Sequence, residues 1–251
     1  MTSAPEISIV VPLYNEEPNV RPLFEEITAA LRSTSIAYEL ILVDDGSRDR
    51  TFGVLEELQR HDPRVRVIRF VRNFGQTAAF AAGFAYARGR FIVTLDGDLQ
   101  NDPADIPRLL AIAHDFDIVC GWRKDRKDDF LTRHVPSVAA NWLLGIVSGV
   151  RIHDNGCSLK VFRAEVVKPL KLRPGSHRYL PALASQLGGR VTETVVNHRA
   201  RQFGQSKYGL SRTFKVISDL VHLRGLMREA VDPTAHLPKL YEVATVLEQQ
   251  T

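Results

Sequence analysis

Hydrophobic patterning in the first half of the chain predicts strands that alternate with helices. Continuous apolar runs of five to nine residues are typical of strands that are buried on both faces. The predicted strands are 7–14, 38–45, 65–70, 90–98 and 116–123. The predicted helices are 18–32, 49–60 and 75–89, with a fourth that begins near Pro103. This alternation indicates an α/β fold with a mostly parallel, doubly wound sheet flanked by helices.

The second half of the chain is less regular. A charged segment at 124–130 precedes a predicted amphipathic helix at 131–149. Two further strands are predicted at 156–163 and 190–201. A basic loop at 201–209 leads into a predicted helix at 211–230, and we expect a short helix or an unstructured end after Pro233.

Length and composition are those of an ordinary globular protein. The chain has 251 residues, of which 44% are hydrophobic, enough for one large α/β domain with a sizeable core. Cys120 and Cys157 lack the spacing of a metal site, and we interpret them as reduced thiols of a cytosolic protein. The N-terminus has no signal-peptide pattern, and no run reaches the ~18 apolar residues of a membrane span.

Charge is distributed unevenly between the two halves. Residues 1–120 carry 12 basic and 18 acidic residues, a net charge of −6. Residues 121–251 carry 21 basic and 11 acidic residues, a net charge of +10. A basic half favours an anionic partner such as phosphates, nucleic acid or a lipid surface, although a solvated surface of mixed charge is the simpler alternative.

Polar side chains follow three of the predicted strands at the point where each strand ends. The first strand ends in PLYNEE, the second in VDDGS and the fourth in LDGDLQ. The carboxyl ends of parallel strands meet at one edge of a sheet, and ligands bind in the crevice beyond that edge. We therefore expect these three sets of side chains to form one site.

The aspartates of LDGDLQ indicate a divalent cation. Asp96 and Asp98 flank a single glycine and repel each other in a low dielectric, which a cation relieves. Carboxylate and amide oxygens, here including Gln100, are ligands for Mg²⁺ or Mn²⁺, which commonly also takes phosphate oxygens. Taken in isolation, the motif is better explained by a surface turn before a helix that begins with proline. The three polar strand ends together favour a metal that bridges the protein to a nucleoside diphosphate.

Several motifs occur in an order that resembles a known family. They are PLYNEE, VDDGSRDRT, RNFGQTAAFAAGFAYARG, LDGDLQNDP, DNGCSLKVFR and RQFGQSKYG, spread over residues 6–225. As a set they resemble glycosyltransferase family 2, and more narrowly the polyprenyl-phosphate glycosyltransferases related to dolichyl-phosphate mannosyltransferase. The resemblance implies a GT-A fold and a metal-dependent hexosyltransferase. It divides the chain into a catalytic domain at 1–209 and a C-terminal amphipathic helical appendage at 210–251.

The resemblance also assigns a donor site in the nucleotide-binding half, residues 1–123. The donor would be a GDP- or UDP-hexose carrying mannose or glucose, and Asp44 or Asp45 would face the base. Asp96, Asp98 and Gln100 would hold Mg²⁺ or Mn²⁺. The residues implied in nucleotide-sugar binding are Pro12, Tyr14, Glu16, Val43, Asp44, Asp45, Asp96, Gly97, Arg201 and Lys207.

For the acceptor half, residues 124–209, the resemblance implies a polyprenyl phosphate. A phosphate monoester is anionic near neutral pH, because its second pKa is about 6, so it needs positioning rather than a strong base. Arg123, Arg133 and Ser137 would bind it, and Asp154 would orient it or act as a weak base; a turn role for Asp154 is the alternative. Attack on the anomeric carbon would invert the sugar, while the metal held by Asp98, together with Arg201 and Lys207, would stabilise the leaving group.

A lipid acceptor requires contact with a membrane. We expect 131–149 and 210–228 to lie at the cytoplasmic inner face of the membrane, as a peripheral protein or through a membrane-protein partner. The second segment places apolar residues near one face: Leu210, Phe214, Ile217, Val221 and Leu226. The alternative is that both apolar faces pack on the core.

Other functions stay open or are excluded. A saccharide hydroxyl acceptor would make Asp154 an essential base. A non-catalytic nucleotide-sugar-binding protein is a further alternative, against which the intact DGD motif argues. No G-x-G-x-x-G follows the first strand, which excludes a dinucleotide-dependent oxidoreductase, and no nucleic-acid reader motif is present.

Overall fold

The computed structural model describes residues 4–124, 144–200, 223–232, 234–235 and 237–249. Its strands are β1 Ile7–Leu13, β2 Tyr38–Asp44, β3 Val65–Phe70, β4 Phe91–Thr94, β5 Ile118–Trp122, β6 Lys160–Arg163, β7 Val191–Val195 and β8 Val243–Leu247. Its helices are α1 Glu17–Arg32, α2 Thr51–His61, α3 Gln76–Tyr86, α4 Ile106–Ala113, α5 Ala164–Val167, α6 Leu180–Ser185 and α7 Leu223–Val231. Short 3₁₀ helices lie at Pro103–Asp105 and Ser176–Tyr179, and residues 144–148 are also helical.

The described strands form one sheet in the order β7-β5-β6-β4-β1-β2-β3-β8. Strand β1 pairs in parallel with β2 and β4, β2 pairs in parallel with β3, and β5 pairs in parallel with β7. Strand β6 is antiparallel to both of its neighbours, and β8 is antiparallel to β3. The predicted α/β class with a mostly parallel sheet is therefore confirmed.

The sheet is buried on both faces, which explains its continuous apolar runs. Alternate side chains of β1 point to opposite faces. Ile9 and Val11 pack with the helices α1, α2 and α4, whereas Val10 packs with α3 on the other face. Because helices cover both faces, the strands leave only their ends to carry polar groups into the site.

The fourth strand is shorter than predicted. The sequence indicated a strand over 90–98, but β4 ends at Thr94. The Leu95 N–H still donates to the Val10 carbonyl at 3.2 Å, and the chain then turns, with Leu99 at a φ of +62°. The DGD aspartates consequently lie on a loop beyond the sheet edge, where their carboxylates do not interrupt a ladder.

The C-terminal segment differs from its prediction. A short helix or unstructured end after Pro233 is wrong for residues 243–247, which form β8 along the edge of β3. Two contacts fix this strand: Tyr241 stacks on Phe70 with ring centroids 5.1 Å apart, and the Glu248 carboxylate accepts a hydrogen bond from Arg66 Nε at 2.8 Å. A run as short as VATVL becomes a strand because the open edge of β3 pairs with it.

Helix α7 contains the described end of the predicted interfacial helix. Met227 and Ala230 are buried in the core, whereas Arg224 and Arg228 are exposed. This part of the helix therefore packs on the protein. The remaining predicted interfacial residues, Leu210, Phe214, Ile217 and Val221, lie outside the described residues, as does most of 131–149. The boundary at residue 209 stays a prediction.

The described helices differ from a membrane-spanning helix in length or in hydrophobicity. Within the described ranges, none combines the length and apolar character that crossing a bilayer requires. The segments at 131–143 and 210–222 fall outside those ranges, so their predicted contact with a membrane surface remains to be tested by experiment.

Two glycines in helices give a test of the core packing between α3 and the sheet. A Cβ at Gly83 on α3 would overlap the Val10 side chain, whereas a Cβ at Gly53 on α2 would meet no atom within 4 Å. We expect Gly83→Ala to lower the free energy of unfolding by about 1–3 kcal/mol through overpacking. Gly53→Ala should raise it by up to about 1 kcal/mol through helix propensity.

Urea unfolding of the two variants beside the wild type measures both changes. Equal effects of the two substitutions would contradict the close approach of α3 to β1.

Candidate active site

The three polar strand ends meet at one edge of the sheet, as predicted. A Cβ on Gly97 would lie 2.5 Å from Leu13 Cδ2 and 3.2 Å from the Pro12 carbonyl oxygen, so the DGD loop lies directly against the end of β1. The Asp45 N–H donates to the Leu13 carbonyl at 2.8 Å, which joins the end of β2 to the same point. A side chain at 97 would force the buried Leu13 side chain to move.

The two aspartates of VDDGS face opposite sides of the sheet. Asp44 is fully buried; its Oδ1 accepts from the Ser47 N–H at 3.0 Å, and its Oδ2 lies 3.5 Å from Arg69 Nε. Burial raises the pKa of Asp44. Val43, the residue before Asp44 on β2, is fully buried in the core on the α3 face of the sheet.

Asp45 holds the turn that begins α3. Its carboxylate accepts hydrogen bonds from Asn73 Nδ2 at 2.9 Å, the Phe74 N–H at 2.7 Å and the Gly75 N–H at 2.9 Å. Burial raises the pKa of Asp45 to about 6, against the lowering effect of the Phe74 and Gly75 amides. Which of Asp44 and Asp45 faces a nucleotide base stays a prediction.

The end of β1 is fixed by hydrogen bonds to the loop after β2. Asn15 has a φ of +51°; its N–H donates to Ser47 Oγ at 2.9 Å and its Oδ1 accepts from the Arg48 N–H at 2.8 Å. The Glu16 N–H donates to Thr51 Oγ1 at 2.9 Å. Pro12, Tyr14 and Glu16 are half-buried at this edge, so they lie where a nucleoside pocket was predicted.

The DGD aspartates are held by neutral N–H groups. Gln76 Nε2 donates to Asp96 Oδ1 at 2.7 Å, and the Gln100 N–H donates to Asp98 Oδ1 at 3.2 Å. Neither bond cancels the charge of a carboxylate. The loop thus presents two oriented carboxylates beside the ends of β1 and β2.

Asp96, Asp98 and Gln100 fit a metal ion whose remaining ligands are water and substrate oxygens. Among the described residues, no group of three or more His, Cys, Asp or Glu side chains is placed to hold a metal ion. Two carboxylates and the amide oxygen of Gln100 match the preferences of Mg²⁺, which completes its shell with water and substrate phosphates. The donor set therefore fits a magnesium or manganese ion that is held jointly by protein and substrate.

Arg123 and Asp154 form a largely buried ion pair with two hydrogen bonds. Arg123 Nε donates to Asp154 Oδ2 at 2.7 Å, and Nη2 donates to Oδ1 at 2.9 Å. Burial opposes the charge on Arg123, but the hydrogen bonds and charge of Asp154 outweigh it and raise its pKa. A carboxylate held in this way is a poor proton acceptor.

Lys160 holds the loop that carries Asp154 by hydrogen bonds to two of its carbonyl groups. This buried lysine donates from Nζ to the Asn155 carbonyl at 3.1 Å and also to the Cys157 carbonyl. Burial raises the pKa of the Cys120 thiol to about 12 and also raises that of Cys157. These contacts indicate structural roles for Lys160 and for both cysteines.

Four predicted site residues lie outside the described residues: Arg133, Ser137, Arg201 and Lys207. The chain that leads into 201–209 is described, however, and it runs beside the DGD loop. The Arg199 N–H donates to the Gln100 carbonyl at 2.9 Å, and His198 pairs with Asn101 in an antiparallel bridge. Arg201 is therefore two residues from a direct contact with LDGDLQ.

Gln76 and Asn73 are polar groups of the site for which the sequence analysis predicted no role. Both belong to the RNFGQ segment, which served only as a motif of the resemblance. Their signal is the position of Gln76 at the start of a helix that follows a glycine with a φ of +93°. That pattern marks a helix N-terminus but does not identify its partner.

The sequence matches glycosyl transferase family 2 over residues 8–170. The chain belongs to this family. Its relatives include the dodecaprenyl-phosphate galacturonate synthase of Rhizobium johnstonii, 47% identical over 233 residues, which are 91% of this chain and 69% of the relative. The undecaprenyl-phosphate 4-deoxy-4-formamido-L-arabinose transferase of Edwardsiella ictaluri is 38% identical over 217 residues, 86% of this chain and 66% of the relative. The chain is thus a glycosyltransferase that spans about two thirds of the length of these enzymes.

Solved structures of similar fold include two sugar transferases. Mannosyl-3-phosphoglycerate synthase from Rubrobacter xylanophilus has a TM-score of 0.71 at 17% identity, with 93% of this chain and 78% of that chain covered. Glucosyl-3-phosphoglycerate synthase from Mycobacterium tuberculosis, in complex with Mn²⁺, UDP-glucose and phosphoglyceric acid, has a TM-score of 0.67 at 19% identity, with 88% and 80% covered. The predicted GT-A fold is confirmed.

The Arg123–Asp154 pair gives a stability test of the site. Asp154→Asn leaves a buried guanidinium without its counter-charge, and we expect the free energy of unfolding to fall by about 3–5 kcal/mol. The double replacement Arg123→Met with Asp154→Leu removes both charges and should cost less than the single change. Urea unfolding measures both variants. A double variant that is less stable than Asp154→Asn would show that the pair is not the source of the loss.

Proposed function

We propose that this glycosyltransferase moves a sugar from a nucleoside-diphosphate donor to a polyprenyl phosphate. The observation that carries the proposal is the ion pair of Asp154 with Arg123. A hydroxyl acceptor needs a general base, and the sequence offered only Asp154 for that role. A phosphate monoester needs none, because its second pKa is about 6 and it is anionic at neutral pH. The printed names of the relatives at 47% and 38% identity support the same acceptor class.

On the donor side we propose that Asp96, Asp98 and Gln100 hold Mg²⁺ or Mn²⁺. The metal would supply charge stabilisation for the departing nucleoside diphosphate. Arg201 and Lys207 would add fork-like and point-charge contacts to the same diphosphate. Residues 198 and 199 contact the DGD loop, and Arg201 follows them in the chain by two positions, which supports this role for Arg201.

Further donor contacts follow from the ends of β1 and β2. Tyr14, Pro12 and Glu16 would form the nucleoside pocket together with the VDDGS loop and Gly97. The half-buried positions of the first three side chains at the sheet edge support this role. Since Val43 is enclosed in the core, its contribution would come from its main chain.

On the acceptor side we propose that Arg123, Arg133 and Ser137 bind the lipid phosphate. Arg123 uses Nε and Nη2 for Asp154, and its Nη1 makes no hydrogen bond with the described residues. Asp154 would therefore be an orienting group that points the guanidinium at the phosphate. Attack of the phosphate oxygen on the anomeric carbon, opposite the leaving diphosphate, inverts the configuration of the sugar.

We also propose which sugar the donor carries and where the enzyme meets the membrane. Mannose and glucose were expected from the resemblance, whereas the relative at 47% identity is named for galacturonate. We propose that the donor carries one of these three sugars on GDP or UDP. The acceptor is a membrane lipid, so the enzyme would work at the inner face of the membrane, directly or through a membrane-protein partner.

A transfer assay tests this function. The protein is incubated with Mn²⁺, a short polyprenyl phosphate and each labelled donor, and we expect the label to enter the organic phase with at least one donor. Asp98→Asn should reduce transfer by about 10²-fold or more, because it removes a metal-ligating charge. A parallel reaction with a saccharide in place of the lipid is the control. Transfer to the saccharide alone would contradict the proposal.

The pH dependence separates a base from an orienting group. We expect kcat/KM for the lipid phosphate to fall as pH drops below about 6, because the acceptor phosphate gains its second proton there. Asp154→Asn should lower the rate but keep this acid limb, since the limb belongs to the substrate. Loss of the limb in that variant would show that Asp154 is the base.

A further inference from the structure

The RNFGQT segment joins two loops of the site, VDDGS and DGD, and also contacts residues 175–177. A Cβ on Gly46, whose φ is +69°, would lie 2.6 Å from Arg72 Cα, so the VDDGS loop packs on the start of the segment. The Asp45 carboxylate then holds the backbone of Phe74 and Gly75. These contacts fix the first residue of α3, Gln76, at the carboxyl edge of the sheet.

Two neighbouring side chains leave this point in different directions. Gln76 Nε2 donates to Asp96 Oδ1 at 2.7 Å. Thr77 Oγ1 instead accepts from the Gly175 N–H at 2.9 Å and makes a hydrogen bond with His177 Nδ1 at 2.7 Å. The first turn of α3 therefore contacts two different parts of the chain. Gln76 contacts the DGD loop, and Thr77 contacts residues 175 and 177.

The partner of Asp96 is neutral, and this has a chemical consequence. A lysine or arginine at 76 would cancel the charge of the carboxylate and compete with a cation for it. The glutamine amide fixes Oδ1 without changing the net charge. Oδ2 of Asp96 takes no hydrogen bond from the described residues, so the carboxylate keeps one oriented oxygen for a further ligand.

We propose that Gln76 is a positioning residue that orients Asp96 for the metal-bound donor diphosphate. Hydrogen-bond partners of ligating carboxylates set the orientation of the ligand, and their loss weakens metal binding or activity by about 10- to 100-fold. The role rests on the donor site proposed above and assigns a residue to it. Gln76 acts through Asp96 rather than through the sugar.

Gln76→Met tests the role with a side chain of similar length that cannot donate. We measure Mn²⁺ binding by the loss of the free-ion signal in electron paramagnetic resonance, with UDP and with GDP present in turn. The expected result is an affinity weaker by about 10-fold or more. The matched control is Gln59→Met, because Gln59 is also half-buried but lies near the end of α2, at the opposite edge of the sheet.

Steady-state kinetics provides a second readout. Gln76→Met should lower kcat and raise the Mn²⁺ requirement, while KM for polyprenyl phosphate stays at the wild-type value. A substitution that only disturbed the fold would change the kinetic constants for the donor and for polyprenyl phosphate together. Gln76→Asn is the second variant; it keeps an amide at the start of the helix but is one methylene too short to reach Asp96, and it decides the question if the methionine variant does not fold.

The outcomes separate the two proposals. Weaker Mn²⁺ binding in both Gln76 variants, with Gln59→Met unchanged, supports the role even if no lipid product forms with any donor. Wild-type Mn²⁺ affinity in a folded Gln76 variant overturns it, whatever the acceptor is. Absence of nucleoside-diphosphate-dependent Mn²⁺ binding in the wild type overturns it together with the donor site.

Discussion

The concentration of carboxylates at one edge of a buried sheet is the constraint on which the site depends. Four aspartates lie at the ends of β2 and β4, where like charges repel more strongly than they do in bulk water. Each accepts a hydrogen bond from an N–H donor, and Asp44 also forms an ion pair with Arg69, so the carboxylates are held in fixed orientations. A cationic partner would relieve the repulsion between them.

At the proposed acceptor side, the carboxylate is instead paired with a cation of the protein itself. Asp154 is matched directly by Arg123, with two short hydrogen bonds inside the protein. In the proposed function, Asp96 and Asp98 would take a metal and its diphosphate, and Arg123 would keep part of its guanidinium for an anionic acceptor. A transfer between two phosphates, one leaving and one attacking, needs this complementary arrangement and no strong base.

Much of the fold and part of the site could be predicted from particular residues. The apolar runs of β1 to β5 and the polar ends PLYNEE, VDDGS and LDGDLQ were recognisable because a strand buried on both faces is mostly apolar along its length and carries polar groups at its end. Strand β8 was missed, since VATVL has no intrinsic signal that outweighs the open edge of β3. The pairing of Arg123 with Asp154 was missed because the residues are 31 positions apart and belong to different loops.

The sequence by itself determined the layered α/β architecture and the set of groups that lie at the ligand-binding edge, because hydrophobic periodicity and strand ends are local properties of the chain. Tertiary structure alone decided which group each aspartate meets. Asp45 holds the start of α3, Asp96 meets Gln76 and Asp154 meets Arg123. These partners are set by distances across the folded chain, and the chemistry of a carboxylate, as ligand, base or orienting group, depends on the partner it has.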